Sequence, residues 1–179
     1  MDRRLFIKSM SVAAGGLLIP PAIAKPPKGK AVAPAYLFAA QKHDIPPELL
    51  FTLAHKESEL GSIEMPHPFA MNFRGSSFYF DSRAELYTNV KYLLDNGHRS
   101  FDLGPIQVNW KWHGEKFEDL WEATHPARSL NVGAAYYREQ YDKCGDWFTA
   151  AGLYHSFTPE KAENYRNGFI QIYKRLGYA

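Results

Sequence analysis

The chain has 179 residues, with 21 Lys and Arg against 19 Asp and Glu, seven His, a single Cys, and 45% hydrophobic residues, a third of them aromatic. Balanced charge and high hydrophobicity exclude a disordered chain, and a basic excess of two is too small for a protein that holds nucleic acid by neutralising many phosphates. One cysteine excludes an internal disulfide and a Cys-rich zinc module, so an apolar core must hold the fold, and about 150 residues suffice to bury one.

Residues 1–24 read as an export signal outside the fold. A basic start (Arg3, Arg4, Lys8) precedes a weakly apolar stretch, Met10 to Ile19, and small residues follow at Ala22-Ile23-Ala24, where cleavage is expected. The paired arginines resemble a twin-arginine signal, and Gly15-Gly16 keeps its hydrophobicity modest. A membrane anchor is the competing reading, but a helix that spans a bilayer needs roughly 20 apolar residues, and this stretch is shorter and runs into Pro20-Pro21. Removing residues 1–24 takes away three basic residues and one acidic, leaving 18 of each sign. The expected mature protein is periplasmic, has no stable membrane insertion and acts as a monomer. Cys144 is far from the cleavage point and cannot carry a lipid there, and in an oxidising compartment it should be buried or blocked. Residues 25–33, rich in Pro, Gly and Lys, read as a flexible leader to a single domain over 34–179.

From Pro34 to Leu60 the apolar spacing predicts two helices, one carrying Tyr36, Leu37 and Ala40, the next Leu49, Leu50, Leu53 and Ala54, with a turn at His43-Asp44-Ile45. Pro47 suits the first turn of the second helix, where its missing N–H costs nothing. Two aromatic runs, Phe69 to Phe73 and Phe78 to Phe80, separated by Arg74-Gly75-Ser76-Ser77, predict one small hairpin. Ser82 and Glu85 form a capping-box pattern for a helix with Leu86, Val90, Leu93 and Leu94 on its buried stripe, ended by Asn96-Gly97. A short helical piece is expected near Pro105 to Trp110. Further helices are expected over Leu130 to Tyr141, Trp147 to Tyr154 and Pro159 to Leu176, the last with Thr158 as N-cap. The fold class is mainly α with one hairpin.

Glu57 falls on the apolar stripe of the second helix, three or four residues beyond Leu53 and Ala54. A carboxyl taken out of water loses hydration of its charged form, so its pKa rises and it can hold a proton near neutral pH and donate it to a leaving group. The competing reading is a residue at a helix end that meets solvent or pairs with an arginine. Lys56 and Glu59 project to other sides of the helix.

Three motifs then follow in order: Glu57-Ser58 at the helix end, Gly104-Pro105-Ile106-Gln107-Val108-Asn109, and Tyr154 with small polar neighbours and Tyr165 downstream. Together they resemble the soluble lytic transglycosylases, peptidoglycan-cleaving enzymes with a goose-type lysozyme-like helical fold, over roughly Pro34 to Leu176. Three positions depart from that pattern: Pro105-Ile106 stands where the family usually has Leu-Met, and His155 where it has Asn. The resemblance implies Glu57 as sole catalytic acid and base, with Ser58, Asn72, Gln107, Asn109 and Tyr154 contacting the sugar. Asn72 is carried over from its order along the chain. No cofactor or metal is implied.

Ordinary glycosidases use two carboxylates, about 5 Å apart for retention or roughly 6.5–9.5 Å for inversion. Asp102 and Glu64 are the nearest candidates, and their spacing sets neither opposite Glu57. A lytic transglycosylase dispenses with the second carboxylate, because the muramyl 6-hydroxyl attacks its own anomeric carbon and yields a 1,6-anhydro product. A hydrolytic muramidase using Asp102 is one alternative, and a non-catalytic glycan-binding component of a cell-envelope apparatus is another. The expected partner is peptidoglycan glycan strands, with a secretion, conjugation or pilus machine as the setting. Read without the motif order, Tyr154 is a core residue and Asn109 a helix cap, and the four Trp fill the interior. The seven His lack zinc-site spacing, with no His-Glu-x-x-His pair, and Cys144 lacks the surroundings of a nucleophile.

Overall fold

The computed structural model describes residues 29–61 and 64–179. The export segment expected over residues 1–24 lies outside them. Among the described residues the fold is mainly helical, with eight α-helices and two small antiparallel sheets. No helix there is long and apolar enough to cross a membrane.

Helix α1 (Pro34–His43) stops where Asp44 turns left-handed at φ 53, and α2 (Pro47–Ser58) starts on Pro47 as its first residue. The two expected helices and their turn are present. Burial of α2 goes beyond the expected stripe: Leu49, Leu50, Leu53 and Ala54 are buried, and so are Phe51, Thr52, His55 and Ser58. A helix closed in on nearly all sides is a core helix rather than an amphipathic surface one, and α2 is packed between α1 and the last helix, α8 (Pro159–Arg175). Each large apolar side chain it buries stabilises the fold by about 1.5–3 kcal/mol.

Strands β1 (Glu59–Leu60) and β2 (Met65–Pro66) pair directly after α2. The expected hairpin forms from β3 (Ala70–Phe73) and β4 (Ser76–Tyr79), but its turn is two residues long rather than four. Arg74 at φ 55 and Gly75 at φ 82 are both left-handed, the backbone of a tight turn whose twist matches that of the strands it joins, so Ser76 and Ser77 belong to β4. The sheet is also larger than one hairpin. Strands β5 (Asp102–Leu103) and β6 (Val108–Asn109) extend it in the order β4-β3-β5-β6. The short helix expected near Pro105 to Trp110 is instead the turn between β5 and β6, and α4 begins only at Trp110 (Trp110–His113).

Helix α3 (Arg83–Asp95) carries its expected cap: the Glu85 N–H donates to Ser82 Oγ at 3.2 Å, while the Glu85 carboxylate accepts from the Asp81 N–H at 3.0 Å, one residue before the usual partner. After α5 (Leu120–Ala123) come the long α6 (Pro126–Cys144) and α7 (Trp147–His155), the latter capped by Asp146 Oδ1 accepting from the Thr149 N–H at 2.7 Å. Thr158 occupies the N-cap of α8 without a side-chain bond. Its own N–H donates to Ser156 Oγ at 3.1 Å. Cys144, at the end of α6, is half-buried. Residues 29–33, at the end of the expected leader, lie against the C-terminal segment: the Lys30 N–H donates to the Leu176 carbonyl at 2.7 Å, and the Tyr178 hydroxyl to the Lys30 carbonyl at 2.5 Å.

Candidate active site

A cavity of about 930 Å³ lies between the end of α2, the sheet, α6 and the C-terminal end of α7. That is the upper range for a small-molecule site. Its polar lining comes from Glu57 on α2, a set of sheet residues, His155 at the end of α7 and Ser156 just after it, with Trp112, Tyr136, Leu153 and Phe157 giving apolar walls.

The sheet register explains the polar floor. Asn72 on β3 pairs with Asp102 on β5, and Asp102 pairs with Asn109 on β6, so three polar side chains stand in one row across three strands. Directly paired residues on neighbouring strands project to the same side of a sheet, and all three line the cavity. Asn109 Nδ2 donates to Asp102 Oδ1 at 2.7 Å, which orients the Asp102 carboxyl, while Asn109 Oδ1 is buried without a partner among the described residues. Burial raises the Asp102 pKa and the Asn109 hydrogen bond opposes that rise. Asn72 is engaged in its own turn, its Oδ1 accepting from the Gly75 N–H at 3.1 Å.

Gln107 reaches the cavity from the β5–β6 turn, whose backbone is left-handed at Gly104 (φ 75) and at Gln107 itself (φ 49). A non-glycine residue in that region is uncommon and costs energy that the surroundings must supply. Three side chains pin the turn: Gln107 Nε2 donates to the Gly104 carbonyl at 2.8 Å, the Tyr154 hydroxyl to the Ile106 carbonyl at 2.7 Å, and the Ser58 hydroxyl to the Pro105 carbonyl at 2.7 Å. Gly133 on α6 lets the turn seat closely, since a Cβ there would stand 2.4 Å from Ile106 Cγ2 and 3.0 Å from the Tyr154 hydroxyl oxygen.

The six residues singled out in the sequence therefore divide. Glu57, Asn72, Gln107, Asn109 and Tyr154 meet in the cavity wall, and Ser58, fully buried, sits behind it with its hydroxyl committed to Pro105. Asp102, which nothing in the spacing set opposite Glu57, lines the same cavity.

Glu57 itself is half-buried in the cavity wall. Burial pushes its pKa up to about 7, opposed by a hydrogen bond from Tyr165, with the Asp102 charge adding to the rise and the Lys56 charge reducing it. Lys56, expected to project to another side of the helix, thus still acts on its neighbour through its charge. The hydroxyl that holds Glu57 Oε1 comes from Tyr165 of α8, not from Tyr154. Tyr165 is buried, and burial together with the adjacent Glu57 charge raises its pKa well above that of an ordinary tyrosine, so it is a donor throughout the working range. His155 stacks on the Tyr165 ring, centroids 4.6 Å apart and planes within 13°. Burial and the Lys56 and Lys161 charges lower the His155 pKa and favour its neutral form.

Tyr165 and His155 are the site residues that role assignment from sequence missed, and Asp102 had a role only in the muramidase alternative. Tyr165 lay in a motif without a role, and no local pattern links residues 108 positions apart. Among the described residues, no three His, Cys, Asp or Glu side chains gather in a group able to hold a metal ion. No protein-family model, curated protein or solved structure matches the chain.

Proposed function

We propose that the protein is a peptidoglycan lytic transglycosylase with a lysozyme-like helical fold, cleaving the β-1,4 bond between N-acetylmuramic acid and N-acetylglucosamine with Glu57 as its single acid and base. The observation that carries this reading is a carboxyl in the wall of a sugar-sized cavity whose pKa is pushed up to about 7. A group with that pKa is poised to give a proton and then take one back at neutral pH. Tyr165 occupies Glu57 Oε1, which leaves Oε2 to carry the exchangeable proton.

In the first step Glu57 Oε2–H protonates the glycosidic oxygen, the bond from that oxygen to the muramyl anomeric carbon breaks, and the N-acetylglucosamine 4-hydroxyl departs. Positive charge builds on the muramyl ring, beside the newly ionised Glu57. In the second step the muramyl 6-hydroxyl attacks the anomeric carbon while Glu57 takes the hydroxyl proton. The enzyme returns to its starting state and no water is consumed. Asn72, Gln107 and Asn109 offer the amide donors and acceptors that sugar acetamido and hydroxyl groups pair with. The substrate lies outside the cytoplasm, which agrees with an export signal over residues 1–24, and local wall opening for a secretion, conjugation or pilus machine is the setting proposed.

One observation favours a second reading. Asp102 shares the cavity with Glu57, and a carboxylate there could activate a water, making the protein a hydrolytic muramidase. Digestion of purified sacculi followed by mass spectrometry of the released muropeptides separates the two, because hydrolysis adds one water to the product. The expected outcome is 1,6-anhydro products from wild type and a loss of about 10²-fold or more with Glu57→Gln, the scale of a missing acid catalyst. Equal release by both proteins overturns the proposal, and hydrated products transfer it to the muramidase.

A further inference from the structure

A second cavity, of about 420 Å³, is lined by Lys56, Glu57, His155, Lys161, Asn164 and Tyr165. Glu57 and His155 border both cavities, so the two spaces meet at the catalytic carboxyl. They differ in charge. The larger contains Glu57 and Asp102, whereas the smaller sets two ammonium groups around a carboxyl that is half protonated near neutral pH.

Both lysines are placed with some care. The Lys56 side chain passes over Gly168 of α8, where a Cβ would stand 3.1 Å from its Cε and 3.2 Å from its Nζ, and its ammonium sits 5.2 Å from the centre of the Tyr165 ring. Lys161 is the third residue of α8, where the helix dipole favours acidic side chains and disfavours a cation. Among the described residues, the ion pairs include neither Lys56 nor Lys161, and the carboxyl that shares the cavity with them is Glu57, whose pKa the Lys56 charge lowers. Asn164, one turn further along α8 and exposed, adds an amide donor.

We propose that Lys56, Lys161 and Asn164 form an anion subsite that receives the carboxylate-bearing substituent of muramic acid on one side of the scissile bond. The inference rests on the glycan-cleaving reading of the larger cavity and deepens it. In the repeating disaccharide the N-acetylglucosamine unit is neutral, and acidic groups occur only at the muramyl 3-position, as the lactyl carboxylate of a bare strand or the carboxylates of an attached peptide. An anion held there fixes which sugar faces Glu57, because the two sugars otherwise share their ring and acetamido group. Charge pairing of this kind sets register and discriminates between partners.

The test compares affinities in a Glu57→Gln background, which prevents turnover, with and without Lys161→Glu. Three tetrasaccharides serve as probes: a peptide-bearing glycan fragment, the same fragment stripped by an amidase so that only the lactyl carboxylates remain, and neutral chitotetraose. Lys161→Glu places an acidic residue in the first turn of a helix, where it is favoured, so loss of folding does not confuse the result. The expected result is a ratio of acidic to neutral affinity that falls about tenfold with Lys161→Glu and shrinks in high salt. A fall for the peptide-bearing fragment alone assigns the anion to the peptide, and a fall for both acidic fragments assigns it to the lactyl group. An unchanged ratio, or no binding of any fragment, overturns the subsite. Failure of the parent reading shows elsewhere, as wild-type protein that releases nothing from sacculi.

Discussion

The proposed chemistry turns on how four influences set one carboxyl. Burial raises the Glu57 pKa most, Tyr165 lowers it by hydrogen bonding to the ionised form, Asp102 raises it and Lys56 lowers it. Replacing Tyr165 with Phe removes the bond that favours the charged state, so the Glu57 pKa should climb above about 7. In the proposed reaction the free protein must hold its proton to act, and the alkaline limb of kcat/KM should therefore move up by about one pH unit. The rate at the optimum should drop about tenfold, because the carboxyl loses the group that orients it. A limb that stays in place, or moves down, contradicts a positioning role for Tyr165. The placement of Glu57 was legible in the sequence, since a carboxylate following Leu50, Leu53 and Ala54 breaks an apolar pattern, while its expected role came from the motifs that accompany it. Its hydroxyl partner was not, because Tyr154 and Tyr165 both sit in helices at suitable distances along the chain and only the packing of α8 on α2 distinguishes them.

Among elements, the β5–β6 turn carries Gln107, shapes the cavity floor, and depends on α6. Gly133→Ala would drive a methyl group into Ile106 and the Tyr154 hydroxyl. Overpacking of this kind costs typically about 1–3 kcal/mol. Urea unfolding should show a lower midpoint by that amount, and glycan cleavage should fall with it as Gln107 is displaced. An unchanged midpoint would mean that the close seating of the turn on α6 matters little. Helices such as α2 and α3 were readable because Pro47, Ser82 and Asn96-Gly97 mark their ends and the apolar spacing runs for several turns. The turn itself was read as helix. Two-residue strands such as β5 and β6 are too short to show alternation, and what makes them strands is the pairing of β5 with β3 and of β6 with β5.

At the scale of the whole molecule, helices α1, α2, α6, α7 and α8 pack around one core, and the small sheet lies to one side with the larger cavity between. The mainly helical class was legible from periodicity, and five of the six proposed site residues do meet in that cavity. Their meeting was not derivable from spacing, since it needs the row Asn72, Asp102, Asn109, which strand register creates. The same register brings Asp102 into the cavity with Glu57, which spacing along the chain gave no reason to expect. Everything in the proposed reaction requires that this enclosure keep the Glu57 carboxyl protonated until substrate arrives. Titration of the side-chain carboxyl carbons by NMR in glutamate-labelled protein, with Glu57→Gln to assign the resonance, measures that requirement directly. The expected apparent pKa is about 7. A value in the ordinary glutamate range, about 4.3, would contradict the account.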